Sequence, residues 1–183
     1  PQPLPKTPVM KLPGLEIPPR TQAEILDEVT RSLRRPNPEP SLLFTPNLDH
    51  LALLEQDEAF RLAYTRATWL VPDGKPLIWL SRCQGRPLPE RITGVDLFAA
   101  LLARAHREQW RIFLLGARPE VNREARKVWR DKWPGLQIDG LSPPWGFDSR
   151  PAELADLVEK VRQSRPHILA LFIGSPRQEV LAV

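Results

Sequence analysis

Short apolar runs alternate along the chain with longer stretches in which apolar residues recur every three or four positions. The short runs are typical of β-strands, and the longer pattern is typical of amphipathic helices. The pattern predicts strands at 15–17, 41–45, 68–71, 111–115, 136–139 and 167–173. It predicts helices at 48–64, 75–83, 94–109, 119–133 and 151–164, preceded by one that starts after Thr21 and runs through Leu33. This alternation indicates an α/β protein with a mostly parallel sheet.

Two local signals refine this picture. Thr21 and Glu24 have the spacing of a capping box, which would fix the start of the first helix. Residues 1–20 are rich in proline, so we expect an extended lead-in there and a single domain over residues 21–183. Four tryptophans fall within strand or helix patterns and are predicted to lie in the core: Trp69, Trp79, Trp110 and Trp129.

The charge of the chain favours anionic partners. Its formal net charge is +4, and most of its 26 basic residues are arginines, whose planar guanidinium groups suit phosphate oxygens. Nucleotide diphosphates, lipid diphosphates and acidic headgroups all fit this charge. The basic residues are scattered among acidic ones and no nucleic-acid-binding motif is present, so we expect no nucleic acid partner.

The cysteine content and the hydropathy pattern indicate the compartment. Cys83 is the only cysteine, which excludes an internal disulfide and fits a reducing environment. No apolar run approaches the roughly 20 residues that a membrane-spanning helix needs, and the N-terminal residues lack the pattern of a secretory signal. We therefore expect a cytoplasmic protein that is at most peripherally bound to a membrane.

Four polar loops follow predicted strands directly. Their sequences are T-P-N at 45–47, P-D-G at 72–74, G-A-R-P at 116–119 and G-S-P-R-Q at 174–178. The carboxyl ends of parallel strands lie at one edge of a sheet, and ligands bind in the crevice outside that edge. The loops are therefore predicted to converge on one binding site.

Each polar candidate in this region has a structural and a functional interpretation. Asp73 could be a turn former or helix cap, or a general base that accepts a proton from a sugar hydroxyl. Thr45 and Asn47 could form a capped turn, or could bind sugar hydroxyls or an acetamido group. Arg91 could form a surface ion pair with the preceding Glu90, or could bind a departing diphosphate.

The later loops suggest contacts to a nucleotide. Gly116 and Gly174 each precede a predicted helix, where a backbone amide can bind phosphate, although neither loop has the dinucleotide or P-loop fingerprint. Trp145 lies in a loop and could either pack or stack on a sugar or uracil ring. The chain has no D-x-D pair to hold a divalent metal, so a reaction without metal or other cofactor is the simpler hypothesis.

The chain contains five motifs: T-P-N-L-D-H at 45–50, V-P-D-G-K-P at 71–76, L-P-E-R-I-T-G-V-D at 88–96, F-L-L-G-A-R-P at 113–119 and G-S-P-R-Q-E at 174–179. Together they resemble the WecG/TagA/CpsF glycosyltransferase family, from about residue 12 to residue 183. The resemblance implies a Rossmann-like open sheet with helices on both faces in a single domain. It also implies an inverting, metal-independent transfer of an N-acetylmannosamine-type sugar from a UDP-sugar to a polyprenyl-diphosphate-linked N-acetylglucosamine. Teichoic acid linkage units and other surface polysaccharides are the implied products.

The resemblance also assigns roles. Asp73 matches the family's proposed base, Thr45 and Asn47 its sugar-pocket residues, Arg91 its diphosphate contact and Gln178 a glutamine near the nucleotide sugar. The implied location is the inner face of the plasma membrane, where the lipid-linked acceptor lies. The oligomeric state stays open, and an exposed helix end at the C-terminus would favour a homo-oligomer.

The chain departs from the family pattern at several positions. Ala117 and Phe172 stand where the family often has glycines, and Val180 and Leu181 replace a basic and an aromatic residue. The family continues beyond this point with a C-terminal appendage that helps complete the active site, so residues 21–183 would form the glycosyltransferase domain without it and turn over slowly. Two alternatives are a catalytically degenerate nucleotide-sugar-binding or regulatory module, and an α/β protein that binds another anionic metabolite.

Overall fold

The structure, a computed structural model, describes residues 9–183, so the first eight residues of the lead-in predicted over 1–20 lie outside the described residues. The strands are β1 (Met10–Leu12), β2 (Leu15–Ile17), β3 (Leu43–Phe44), β4 (Trp69–Leu70), β5 (Ile112–Gly116), β6 (Ile138–Leu141) and β7 (Ile168–Phe172). The helices are α1 (Gln22–Leu33), α2 (Leu48–Gln56), α3 (Glu58–Thr65), α4 (Lys75–Cys83), α5 (Gly94–Glu108), α6 (Pro119–Lys132), α7 (Pro151–Ser164) and α8 (Arg177–Leu181), with a 3₁₀ turn at Phe147–Ser149. The predicted α/β class is confirmed.

The chain divides into two compact units, the first running through Phe98 with Ala182–Val183 and the second comprising Ala99–Leu181. In the first unit, β3 and β4 pair in parallel and β1 and β2 form an antiparallel hairpin. The hairpin contributes side chains to the core of this unit, and Met10 and Ile17 are fully buried there. They pack in one apolar cluster with aromatic side chains that include Phe44, Phe60 and Tyr64.

The second unit contains a three-stranded parallel sheet in the order β6-β5-β7. Phe113 and Leu115 of β5 face one side, where they pack with Leu157 of α7. Leu114 faces the opposite side, where the Asn122 amide group of α6 donates to its carbonyl oxygen at 3.2 Å. Helices therefore cover both faces of this sheet, as successive side chains of a strand point to opposite faces.

Helix boundaries follow local sequence signals closely. The capping box is confirmed: the Thr21 hydroxyl accepts from the Glu24 amide, and the Glu24 carboxylate accepts from the Thr21 amide. The single helix predicted over 48–64 is wrong, because Asp57 adopts an extended conformation and its carboxylate caps a new helix by accepting from the Phe60 amide at 3.0 Å. Aspartate is among the preferred N-cap residues, so this break was readable from the sequence.

Burial of the tryptophans is uneven. Trp110 is buried as predicted, whereas Trp79 is 60% exposed, so the prediction that it lies in the core is wrong. Its position on α4 places it on the face opposite the buried Leu77 and Ile78. No helix within residues 9–183 is both long enough and apolar enough to cross a lipid bilayer.

Candidate active site

Three loops of the first unit are held together by hydrogen bonds. The Asp73 amide donates to the Pro46 carbonyl at 2.8 Å, which joins the loop after β4 to the loop after β3. The Ile92 amide donates to the carbonyl of Pro72 at 3.3 Å. The Gly94 amide donates to Oδ2 of Asp73, also at 3.3 Å. The segments carrying Thr45, Asn47, Asp73 and Arg91 therefore lie side by side.

The carboxylate of Asp73 does not cap the helix that follows it. The N-cap of α4 is Gly74, at φ +102°, and within the described part of the chain this helix has no side-chain capping hydrogen bond. The Asp73 carboxylate instead reaches the first residue of α5 through the Gly94 amide. Its other oxygen, Oδ1, accepts no hydrogen bond from any residue between 9 and 183, and the side chain is partly exposed. One oxygen is thus fixed while the other is available to a ligand.

A capping motif fixes the first turn of α5. The Thr93 hydroxyl accepts from the Asp96 amide at 3.0 Å and donates to the Asp96 carboxylate at 2.7 Å. The T-x-x-D spacing at 93–96 is a sequence signal of a helix start, and it lies within the longer motif at 88–96. Because this turn is fixed, the amide that bonds to Asp73 has a defined position.

Thr45 and Asn47 lie on the neighbouring loop. Asn47 caps α2, since its side-chain oxygen accepts from the His50 amide at 3.1 Å, as the structural interpretation expected. Its amide NH₂ group and the Thr45 hydroxyl have no hydrogen-bond partner among the described residues, and both side chains are partly exposed. The capping role and a ligand-binding role are therefore compatible in Asn47, because they use different atoms.

Arg91 is exposed and makes no ion pair or side-chain hydrogen bond with any residue that the structure describes. The ion pair with Glu90, the structural alternative for this residue, is not formed. Glu90 instead accepts a hydrogen bond from the Gln22 amide at 2.6 Å. The Arg91 guanidinium group is therefore available to an anionic ligand.

The charge distribution around the three joined loops favours the binding of an anionic ligand. Helices α2, α4 and α5 begin immediately after Asn47, Gly74 and Thr93, so their positive ends lie at the three joined loops. Helix N-termini attract anions through the helix dipole and through amide groups that lack helical partners. Together with Arg91, they provide the positive potential that a diphosphate requires.

The remaining candidates lie in the second unit. Gly116 ends β5 at φ +106°, and its carbonyl accepts from the Asn122 amide group at 2.9 Å and from the Ser142 hydroxyl at 3.2 Å. Ala117 follows at φ +56° and its amide donates to the Phe172 carbonyl at 2.8 Å. Ala117 and Phe172, two of the departures from the family pattern, are thus in contact. A glycine at position 117 would adopt the same backbone conformation without strain.

Gly174 and Gln178 bond to each other. The Gly174 amide donates to the Gln178 side-chain oxygen at 3.1 Å, and the Gln178 NH₂ group donates to the Glu179 carboxylate at 2.9 Å. The backbone amide that was a candidate for phosphate binding therefore already has an intramolecular partner. A ligand that bound to either residue would have to replace this bond.

Trp145 is 87% exposed and is held by an arginine. The guanidinium carbon of Arg177 lies 4.6 Å from the centre of the Trp145 indole, and two of its nitrogens bond to the Asp148 carboxylate at 2.6 and 2.8 Å. These hydrogen bonds to Arg177 hold the pKa of Asp148 below its usual value, and those to Asp148 raise the pKa of Arg177. No sequence signal predicts the pairing of Arg177 with Asp148, because a helix and a strand separate the two residues along the chain.

The chain is similar in sequence to a known protein family and to proteins of two Bacillus species. The profile of the glycosyl transferase WecG/TagA/CpsF family matches residues 10–182. A protein of Bacillus spizizenii named N-acetylglucosaminyldiphosphoundecaprenol N-acetyl-beta-D-mannosaminyltransferase is 33% identical over 124 residues, which are 68% of this chain and 46% of that protein. A Bacillus subtilis protein of the same name is 27% identical over 113 residues, which are 62% of this chain and 42% of that protein. The chain thus spans about half the length of these curated relatives.

Proposed function

The chain belongs to the glycosyl transferase WecG/TagA/CpsF family, and from that membership we propose that it transfers an N-acetylmannosamine-type sugar from a UDP-sugar to a polyprenyl-diphosphate-linked N-acetylglucosamine. The transfer is inverting and independent of metal, and its product enters the synthesis of teichoic acid linkage units or another cell-surface polysaccharide. The names of the two Bacillus relatives support the sugar and the acceptor. The observation that carries the proposal is the Asp73 carboxylate, anchored through one oxygen and open at the other.

The proposed chemistry is one in-line displacement. The free Oδ1 of Asp73 takes the proton of the acceptor hydroxyl, and that oxygen attacks the anomeric carbon of the donor sugar. The bond from the anomeric carbon to the UDP oxygen breaks as the new glycosidic bond forms, which inverts the configuration. The Thr45 hydroxyl and the Asn47 NH₂ group hold polar groups of the sugars beside this carboxylate.

The leaving group is stabilised by groups of the chain itself. Negative charge grows on the UDP diphosphate as the bond breaks, and the Arg91 guanidinium group, which has no partner among residues 9–183, can form charge-assisted hydrogen bonds to it. The N-termini of α2, α4 and α5 add positive potential at the same loops. This combination supplies the stabilisation that a divalent cation gives in metal-dependent transferases.

We further propose that the loops of the second unit contact the nucleotide sugar. The Trp145 indole is exposed and is contacted by Arg177, which hydrogen bonds to Asp148 hold in place. An exposed indole of this kind can stack on a sugar or uracil ring. Gly116, Gly174 and Gln178 complete the proposed donor contacts. Because the acceptor is carried by a membrane lipid, the proposed location is peripheral, on the cytoplasmic face of the plasma membrane.

The proposal is tested by binding and by transfer. In titration calorimetry the protein should bind UDP and show weaker or no binding of ADP and NAD. Incubation with UDP-N-acetylmannosamine and a short-chain lipid-diphosphate-linked N-acetylglucosamine should yield the disaccharide lipid, detected by mass spectrometry. A preference for ADP or NAD would contradict the proposal. It would favour the alternative that the chain is an α/β protein that binds another anionic metabolite.

Replacing Arg91 with alanine should lower kcat by about 10- to 100-fold, the loss expected when a hydrogen bond to a charged group is removed. The unfolding midpoint should not change, because the Arg91 side chain bonds to no described residue. Steady-state transfer rates and thermal unfolding measure the two effects. Arg34→Ala, at the exposed end of α1, is a charge-matched control that should retain the full rate. An equal loss in both variants would show that net charge, and not a diphosphate contact, is responsible.

A further inference from the structure

Gly94 is a glycine for which neither the backbone nor the packing gives a reason. It is the first residue of α5, and its φ lies outside the left-handed region that favours glycine. Glycine in a helix is less favourable than alanine because it loses more conformational entropy on folding. The fold alone would therefore favour a residue with a side chain at this position.

The space beside Gly94 lies between two groups of the candidate active site. A Cβ at position 94 would be 3.5 Å from the Thr45 hydroxyl oxygen, 3.8 Å from its methyl carbon and 3.9 Å from Oδ2 of Asp73. These are ordinary van der Waals distances, so an alanine side chain would fit without moving either neighbour. The volume it would occupy is the gap between the Thr45 hydroxyl and the Asp73 carboxylate.

We infer that Gly94 is a specificity-determining residue that keeps this gap open for the reacting hydroxyl of the acceptor sugar. The inference rests on the proposed function. A general base must lie within about 2.6–3.2 Å of the oxygen whose proton it takes. A methyl group at position 94 would lie 3.9 Å from Oδ2, the oxygen held by the Gly94 amide, so it would narrow the gap between Thr45 and this carboxylate without contacting Oδ1, the proposed base. We therefore expect access of the acceptor, and not of the donor, to depend on the absence of a side chain at position 94.

A size series at position 94 separates this role from a structural one. In Gly94→Ala the thermal unfolding midpoint should stay the same or rise by about 1–4 °C, because alanine lowers the entropy of the unfolded chain at a compatible backbone. The same variant should lose about 10-fold or more in kcat/KM for the acceptor, and Gly94→Val should lose more. Calorimetry with UDP should give Kd values within twofold of the unchanged protein. Val95→Ala removes a neighbouring side chain that is 79% exposed and should leave the rate unaltered.

The outcomes distinguish this inference from the proposal it rests on. A folded Gly94→Ala variant with unchanged acceptor kinetics overturns the inference and leaves the proposed function intact. A parallel loss of UDP affinity overturns the assignment to the acceptor, because the side chain would then obstruct the donor. A lowered unfolding midpoint shows that packing requires the glycine, which also overturns it. If the unchanged protein neither binds UDP nor transfers sugar, the proposed function fails together with the inference.

Discussion

Replacing Asp73 with asparagine should lower kcat for sugar transfer by about 10²- to 10⁴-fold, the contribution expected of a general base. The amide side chain has nearly the same shape, but it cannot take the proton of the acceptor hydroxyl. Its carbonyl oxygen can still accept the hydrogen bond from the Gly94 amide, which Oδ2 accepts at 3.3 Å in the structure. We therefore expect the joined loops to keep their positions.

Affinity for UDP should be unchanged in this variant, because the proposed diphosphate contact is Arg91 and not the carboxylate. Single-turnover rates and calorimetry with UDP measure the two quantities on one preparation. Asp156→Asn is the matched control: it removes an exposed carboxylate of α7 whose ion pair among residues 9–183 is with Lys160, at 2.6 Å. Surface pairs of this kind contribute little, so the control should keep its rate and its stability.

The same variant discriminates between the proposed transferase and the catalytically degenerate alternative. A nucleotide-sugar-binding or regulatory module would have the same UDP affinity before and after the substitution and no transfer rate to lose. A transferase would lose the rate alone. An unchanged transfer rate in Asp73→Asn would show that another group takes the proton, and the assignment of Asp73 as the base would be wrong.

Much of the fold follows from local patterns, which is why it could be predicted. The Thr21–Glu24 capping box and the prolines at the starts of α6 and α7 fix helix boundaries through bonds or steric effects within one turn. Strand β1 of the hairpin was not predicted. It has only three residues, and Met10 is buried by packing against distant parts of the first unit. Contacts of that kind leave no periodic signal in a short segment.

The site could be predicted only to the level of its loops. Strand ends place the segments of Thr45 and Asp73 at one edge, and the sequence is sufficient for that step. It does not show that the Asp73 carboxylate bonds to an amide 21 residues away. Nor does it show that Arg177 pairs with Asp148, 29 residues away, instead of remaining free. Such bonds depend on tertiary geometry, which the spacing of residues along the chain does not encode.

Gly116 illustrates how a structural requirement can resemble a functional one. The sequence made it a candidate phosphate contact, because it lies between a strand and a helix. A Cβ at this position would be 2.5 Å from the Phe172 carbonyl oxygen and 2.7 Å from its carbon, both in the backbone of the neighbouring strand β7. Close approach of two strands, together with a φ of +106°, is a sufficient reason for glycine here.

Gly116→Ala should therefore destabilise the protein by about 2–6 kcal/mol. The positive φ costs a side-chain-bearing residue about 1–3 kcal/mol, and overlap with backbone that cannot rotate away costs a similar amount. The Phe172 carbonyl would have to move, which would also weaken its 2.8 Å bond from the Ala117 amide. The total free energy of unfolding of a domain is about 5–15 kcal/mol, so the loss is a large share of it. Urea unfolding at 25 °C measures it directly.

Gly135→Ala provides the matched control for this prediction. Gly135 has a φ of +90°, but a Cβ there would meet no atom of residues 9–183 within 4 Å, so the substitution introduces backbone strain without overlap. Its cost should be only about 1–3 kcal/mol, and the difference between the two variants isolates the contact with Phe172. If the two variants were equally stable and Gly116→Ala lost UDP affinity, strand packing would not explain the glycine. The requirement for glycine at position 116 would then come from the proposed contact to the nucleotide sugar.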